Sequence, residues 1–293
     1  MSQQKARVSI LALGTVGLPL YWWFTGNKEK GYEGKGYIRG KDLFCYDTDP
    51  KKDYFDDINK ADIIFVCVPT PPNPDGSCNT SIVAGAVDAV KDGKIIVIKS
   101  TVIPGTTQFL QNKNPKKALM FNGEYLTESQ RDADFIHPAR QIVGFTEQSK
   151  KYTTLVLSLL PESNFQSPLR LDYWRFEMTA TEAEVVKYAS NVFGFCKVIF
   201  GNMLYDYCEA IAKNCCVDVS YDKVREAVSA DQRINRAWLG EIEHGGYRGA
   251  GGFCFPKDMD AHIQALKFHI KSLEPSLLKI RLEKELNVFE AFW

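Results

Sequence analysis

The sequence predicts an α/β fold, a doubly wound parallel sheet followed by an α-helical region, and two observations carry that expectation. Short, nearly continuous runs of Val, Ile, Leu and Phe recur up to residue 145 with loops or helix-like pieces between them, as strands do when a sheet is covered on both faces. From residue 181 the pattern changes to helical periodicity that persists along the rest of the chain. The 293 residues are 45% hydrophobic and 25% charged, which supplies a substantial core and excludes disordered, collagen-like and coiled-coil classes. Lys+Arg and Asp+Glu both total 36, so bulk charge gives no reason to expect nucleic acid or an anionic membrane as a partner.

In chain order, strands are expected at residues 8–13, 43–46, 63–68, 95–100, 119–122 and 142–145, with a helix at 80–90. Lys5 and Arg7 precede an apolar stretch at 8–24 that imitates a secretory signal. Gly14, Gly17 and Pro19 interrupt it, no small-x-small cleavage site follows, and a strand, turn and helix explain it better. The glycine- and lysine-rich stretch 26–40 reads as an exposed loop. A long helix is expected from 181 to about 213, with Thr179 or Thr181 as N-cap. Its apolar positions go nearly all the way round, so it should be buried, with a stripe of small or polar residues (Ala183, Lys187, Ser190, Asn191, Gly194, Gly201) where another backbone or a ligand comes close. Glycine-rich breaks at 245–252 interrupt the remaining helices, and Cys254, flanked by glycines and a Pro-Lys-Asp, has the composition of a loop. The expected domains are 1–178 and 179–293.

The chain has eight cysteines, several inside apolar runs, two adjacent and none in a C-x-x-C pair, so a reduced, cytoplasmic protein without a zinc site is expected. The four histidines form no nucleophile–base arrangement.

Ala12-Leu13-Gly14-Thr15-Val16-Gly17 follows the first strand and opens a helix, which is the dinucleotide fingerprint G-x-G-x-x-G with alanine in first place. Gly14 lets the backbone approach a pyrophosphate, Gly17 lets helix and strand pack closely, and the helix N-terminus offers N–H groups to phosphate. Alanine in first place is tolerable if its φ stays negative. Asp47, ending the second strand, is placed to accept hydrogen bonds from the adenosine ribose; a carboxylate there repels a 2′-phosphate and favours NAD over NADP.

Five further segments occur in order: Val66-Cys67-Val68-Pro69-Thr70-Pro71, Lys99-Ser100-Thr101-Val102-Ile103-Pro104-Gly105-Thr106, Lys187-Tyr188-Ala189-Ser190-Asn191, Asp231-Gln232-Arg233-Ile234, and Gly251-Gly252-Phe253-Cys254-Phe255-Pro256-Lys257-Asp258. With the fingerprint, they make the chain resemble the UDP-glucose/GDP-mannose dehydrogenase family from residue 8 to about 287. The resemblance implies a Rossmann-type NAD domain, an α-helical dimerisation domain, and oxidation of a nucleotide-sugar C6 alcohol, UDP-glucose foremost, to a carboxylate with two NAD and no metal. It implies that Cys254 is the nucleophile of a thiohemiacetal and then a thioester. Lys187 and Asn191, one helical turn apart, would stabilise thiolate and oxyanions. Asp258 would hold a water with Lys187 for the alcohol proton, Glu124 would be the acid/base of thioester hydrolysis, and Thr101 would act through a water near the reacting carbon.

The same resemblance places Leu13, Gly14, Thr15, Val16, Gly17, Asp47, Lys52, Val68, Pro69, Thr70, Ser100, Glu128 and Lys257 at the cofactor. Glu124, Lys187, Asn191, Arg233, Gly245, Tyr247, Gly249, Gly251 and Cys254 fall at the sugar nucleotide, with Arg233 reaching it across a homodimer interface. Three departures go with it. Family members carry a further nucleotide-binding domain after the central helix, and the chain ends at Trp293, so that domain is expected to be absent. The stretch 47–61 is too short for a full helix, and Ala250 stands where an aromatic is expected. Two other readings remain open: a single-step 3-hydroxyacid dehydrogenase, which shares the Lys-x-x-x-Asn pair, and a relative that binds NAD or a sugar nucleotide without turnover.

Overall fold

A computed structural model describes residues 5–171, 174–240, 242–244 and 247–292. The chain divides into two compact units, one formed by Met1–Pro71 and Asn79–Lys187, the other by Pro72–Cys78 and Tyr188–Trp293.

The first unit contains, in order, β1 (Val8–Leu11), α1 (Gly17–Thr25), β2 (Leu43–Tyr46), β3 (Ile63–Val66), α2 (Ser81–Asp88), β4 (Ile95–Ile98), α3 (Thr106–Lys113), β5 (Ala118–Phe121), α4 (Arg131–Ile136), β6 (Arg140–Ile142), β7 (Gly144–Phe145) and α5 (Thr153–Leu159). The sheet runs β2-β1-β3-β4-β5-β7, parallel throughout except for β7 against β5. Alternate residues of the strands feed two cores. Val8, Ile10, Ile63, Phe65, Val97 and Met120 enter one, and Leu11, Ile64, Val66, Ile96, Ile98, Leu119 and Phe121 the other. Burying each such side chain contributes about 1.5–3 kcal/mol, which is why all-apolar strands need cover on both faces. The doubly wound sheet expected from the sequence is therefore the observed one.

Local chemistry accounts for the details. Between β2 and β3 the short stretch holds only two 3-10 turns, Pro50–Lys52 and Ile58–Lys60, and Asp56 ties it down by accepting from Arg39 and from the Cys45 N–H of β2. The single strand expected at 142–145 is two strands. Val143 donates to Ser167, β6 pairs with Phe165–Ser167, and only β7 joins the main sheet. A Cβ at Gly144 would stand 2.6 Å from Ala183 Cβ, so glycine is required where the strand passes under the start of the long helix. The loop 26–40 is exposed for most of its length, but Tyr32 and Tyr37 are buried and anchor it to the first core.

The long helix α6 (Ala180–Cys215) starts on a capping box. Thr179 Oγ1 accepts from the Glu182 N–H, and the Glu182 carboxylate accepts from the Thr179 N–H at 2.7 Å. In the second unit α7 (Tyr221–Ser229), α8 (Cys254–Ser272) and α9 (Leu277–Phe292) follow. Its core is Val192, Phe195, Met259 and Ile263, with Ala250, Phe255, Leu286 and Phe289 packed against it. The small stripe of α6 admits side chains: a Cβ at Gly194 would meet the Phe255 ring at 2.6 Å. One expectation is corrected. The helix is not buried on every side, because Phe193, Phe200, Met203 and Tyr207 are 53–64% exposed and recur at seven, three and four residues, on one face.

Candidate active site

The strand order changes direction between β1, which continues to β2, and β3, which continues to β4, so the ligand crevice of such a sheet lies at the carboxyl ends of β1 and β3. The fingerprint occupies that point. Gly14 and Thr15 are exposed at the end of β1, and a Cβ at Gly14 would meet nothing within 4 Å, leaving the backbone approachable. A Cβ at Gly17 would lie 2.0 Å from the Ala12 carbonyl oxygen, so only glycine lets α1 start there. Val16 provides no side-chain cap to α1 and its first turn holds no acid, which leaves its N–H groups to an anion. Ala12 departs from expectation: its φ is +68°, a left-handed conformation that costs a non-glycine residue about 1–2 kcal/mol.

Asp47 sits beside this turn, its side chain 6% exposed. Burial works against its charge, yet hydrogen bonds from the Asp49 N–H (2.9 Å), Lys52 Nζ (2.9 Å) and the Leu13 N–H (2.7 Å) hold the carboxyl below its ordinary value. It is thus a fixed acceptor at the end of β2. Across the crevice Val68, Pro69 and Thr70 follow β3, and the Ser100 hydroxyl donates to Val68 O at 2.7 Å, joining the ends of β3 and β4. Thr101 comes next, half-buried. Glu128 opens a 3-10 turn, Glu128–Gln130, and its side chain lies outside the described residues. The fit to a dinucleotide is good: open backbone at Gly14, an uncapped helix start and a fixed carboxylate.

A cavity of about 300 Å³ lies beyond β5, lined by Lys99, Glu124, Tyr125, His137, Arg140 and Gln141 among others. Lys99 Nζ is paired with the Glu124 carboxylate. Two cations approach the Tyr125 ring, Arg140 at 4.0 Å and Lys187 Nζ at 5.5 Å from its centre, and burial pushes its phenol up to about 12. A Cβ at Gly123 would meet Phe121 at 2.9 Å and the Lys187 stem at 3.5 Å, so the Glu124 loop passes closely against Lys187. The structure therefore brings Glu124 and Lys187 into one neighbourhood in the first unit.

Glu184, on α6 three residues before Lys187, was not singled out by sequence reasoning. Fully buried, it accepts from the Gly105 N–H (2.6 Å), the Thr107 N–H (2.9 Å) and the Thr107 hydroxyl (2.6 Å), and so closes the N-terminus of α3. Burial pushes its carboxyl from 4.5 up to about 7 against those bonds. A folded-state value above the unfolded one means stability present at low pH and lost as pH rises through 7. On this group alone the loss approaches about 3 kcal/mol between pH 4.5 and well above 7. Denaturant titrations of the wild type and Glu184→Gln across that range should show the gap between them changing by this amount; a pH-independent gap would refute it.

In the second unit Cys254 is exposed and opens α8, rather than lying in a loop as its glycine-rich approach suggested. The N-terminus of a 19-residue helix favours a thiolate. Asp258 follows one turn later and is buried. It accepts from Lys257 Nζ through one oxygen and from Asn191 Nδ2 through the other, both at 2.5 Å. Lys257, assigned to the cofactor from the sequence, is 9% exposed and committed to this pair. Arg233 is 89% exposed in a turn where Asp231 holds its guanidinium, and Lys197 Nζ fixes that turn through Ile234 O at 2.8 Å. Residues Glu243–His244 and Tyr247–Arg248 form a two-stranded ladder, and Arg248 reaches Asp206 of α6. Gly245 lies outside the described residues, as does the Tyr247 side chain. Gly249 takes φ +114°, which requires glycine, and Gly251 is half-buried just before α8.

Fold and crevice together define a dinucleotide-binding α/β protein with a helical second unit. Residues 45–159 match the NAD binding domain of the UDP-glucose/GDP-mannose dehydrogenase family, and residues 181–281 match its central domain. The chain belongs to the UDP-glucose/GDP-mannose dehydrogenase family, and the predicted cofactor, NAD, is that of the matched domain. It is similar to a putative UDP-glucose 6-dehydrogenase, YtcA, of Bacillus subtilis, at 30% identity over 78% of this chain and 51% of that protein. It is also similar to a UDP-glucose 6-dehydrogenase of Rickettsia typhi, at 35% identity over 70% of this chain and 45% of that protein. The chain spans about half the length of these curated relatives. Among solved structures, a UDP-glucose dehydrogenase from Pyrobaculum islandicum shares the fold, with a TM-score of 0.71 and 24% identity over 99% of this chain and 69% of that one. A 3-hydroxyisobutyrate dehydrogenase from Mycobacterium tuberculosis shares it too, with a TM-score of 0.59 and 13% identity over 98% of this chain and 94% of that one.

Proposed function

We propose that the chain oxidises the C6 alcohol of a nucleotide sugar, UDP-glucose foremost, to the carboxylate, acting in the cytoplasm as a homodimer. The observation that carries this reading is Cys254 at the start of α8 with Asp258 one turn on, bonded to the asparagine of Lys187-x-x-x-Asn191. Residues 13–17 would hold NAD, with Asp47 accepting from its ribose hydroxyls, and NAD when bound would supply the hydride acceptor for each oxidation.

In the first step the alcohol proton passes to a water held by Asp258 and Lys187 as the carbon loses hydride. The Cys254 thiolate then adds to the aldehyde, forming a C–S bond and an oxyanion that Lys187 and Asn191 stabilise. Loss of the second hydride gives the thioester. Water adds to it with Glu124 taking its proton, the C–S bond breaks, and the thiolate returns. General-base help of this kind contributes about 10²–10⁴-fold. Thr101 would assist through a water, and Arg233, exposed on its turn though paired with Asp231, would serve a second copy. The apolar face Phe193, Phe200, Met203 and Tyr207 supports the homodimer, since a face of that size and regularity is ordinarily covered. Among the described residues no helix is long and apolar enough to cross a membrane.

The test is NADH release from UDP-, GDP- and N-acetylated sugar nucleotides. UDP-glucose is expected to turn over; NAD binding with no turnover on any of them would favour the non-catalytic relative. The fold likeness to a 3-hydroxyisobutyrate dehydrogenase keeps a single-step oxidation as the second reading, which yields one NADH per substrate.

A further inference from the structure

Lys99 has no part in the chemistry above, yet its ammonium is among the most buried charges described, with 1% of its side chain exposed. A lysine is almost never fully buried without a partner, because stripping water from the ion costs several kcal/mol. Lys99 Nζ has three acceptors: the Glu124 carboxylate, Asn122 Oδ1 at 2.6 Å, and Asn122 O at 3.4 Å. Asn122 is itself immobilised, since its Nδ2 donates to Gln141 Oε1 at 2.8 Å and Ile142 O at 2.7 Å. Lys99 follows β4, Asn122 follows β5, and Gln141 and Ile142 belong to β6, so rigid strand ends converge on one ammonium. Glu124, by contrast, stands outside any helix or strand, 16% exposed and lining the 300 Å³ cavity.

We propose that Lys99 is the positioning residue for Glu124: anchored by Asn122, it holds the carboxylate in the one orientation from which it takes the proton of the hydrolytic water. The proposal rests on the reading of Glu124 as that base. Lys99 acts through Glu124 and touches no substrate. Misplacing a catalytic group by about 1 Å costs about 10²-fold, which sets the scale of the expected loss.

The experiment uses the full chain with NAD and UDP-glucose. Lys99→Met and the more conservative Lys99→Gln, which keeps a donor for Asn122, should lower kcat about 10–100-fold with the KM for UDP-glucose within about twofold. An acyl adduct on Cys254 should accumulate, seen as a mass increase of the intact protein. In a Glu124→Gln background neither substitution should slow the enzyme further, and in a crystal of either variant the Glu124 carboxylate should leave its seat. A merely structural role predicts loss without the adduct, or an additive loss in the Glu124→Gln background; either overturns the proposal, as does a Glu124 carboxylate that stays in place. Wild-type turnover by Glu124→Gln would instead overturn the role of Glu124 itself, and the crystal would still decide the positioning claim.

Discussion

Cys254→Ala is expected to abolish formation of the sugar acid, a loss of about 10⁴-fold or more, while the protein stays folded and still binds NAD. Without a sulfur nucleophile the aldehyde has no thiohemiacetal from which to lose a second hydride, so at most one NADH can form per sugar. Stability should hardly change. The thiol is exposed at the first position of α8, and alanine is a good helix former, so the substitution should stay within about 0.5 kcal/mol. Steady acid production by this variant, measured by coupled chromatography of the product, would remove Cys254 from the mechanism.

The second large effect is expected at Lys187. Lys187→Met keeps the stem that packs beside Gly123 and Tyr125 but removes the charge. Losing one preorganised stabiliser of a developing oxyanion costs about 10²–10³-fold in kcat. In the proposed mechanism the charge acts in transition states more than in ground-state binding, so kcat should fall with little change in KM. A KM effect with kcat intact would make Lys187 a substrate anchor instead.

Much of the fold was legible because all-apolar strands have few alternatives. Ile63–Val66 and Ile95–Ile98 read as buried strands and are. Of the two N-caps the sequence offers for α6, Thr179 and Thr181, the structure uses Thr179, and the reciprocal bond from Glu182 was not foreseen. Other features depend on partners that local sequence does not name. Lys99 and Asn122 are 23 residues apart and meet only because β4 and β5 are neighbours, so the pair is a product of topology. Glu184 is separated from Gly105 by 79 residues and has the same excuse. The exposed face of α6 was misread because helical periodicity shows that a face is apolar without saying what covers it. Cys254 was placed in a loop by its glycines, although Pro256 two residues later suits the first turn of a helix. Ala12 adopts φ +68° because the chain must turn there whatever residue stands in first place.

The central claim is that one cysteine-borne intermediate links two oxidations on this chain, and counting NADH against product tests it most directly. Complete conversion of a limiting amount of UDP-glucose should give two NADH per sugar, with UDP-glucuronate as the only accumulating product. One NADH per sugar, with the aldehyde or another singly oxidised product released, would contradict the account.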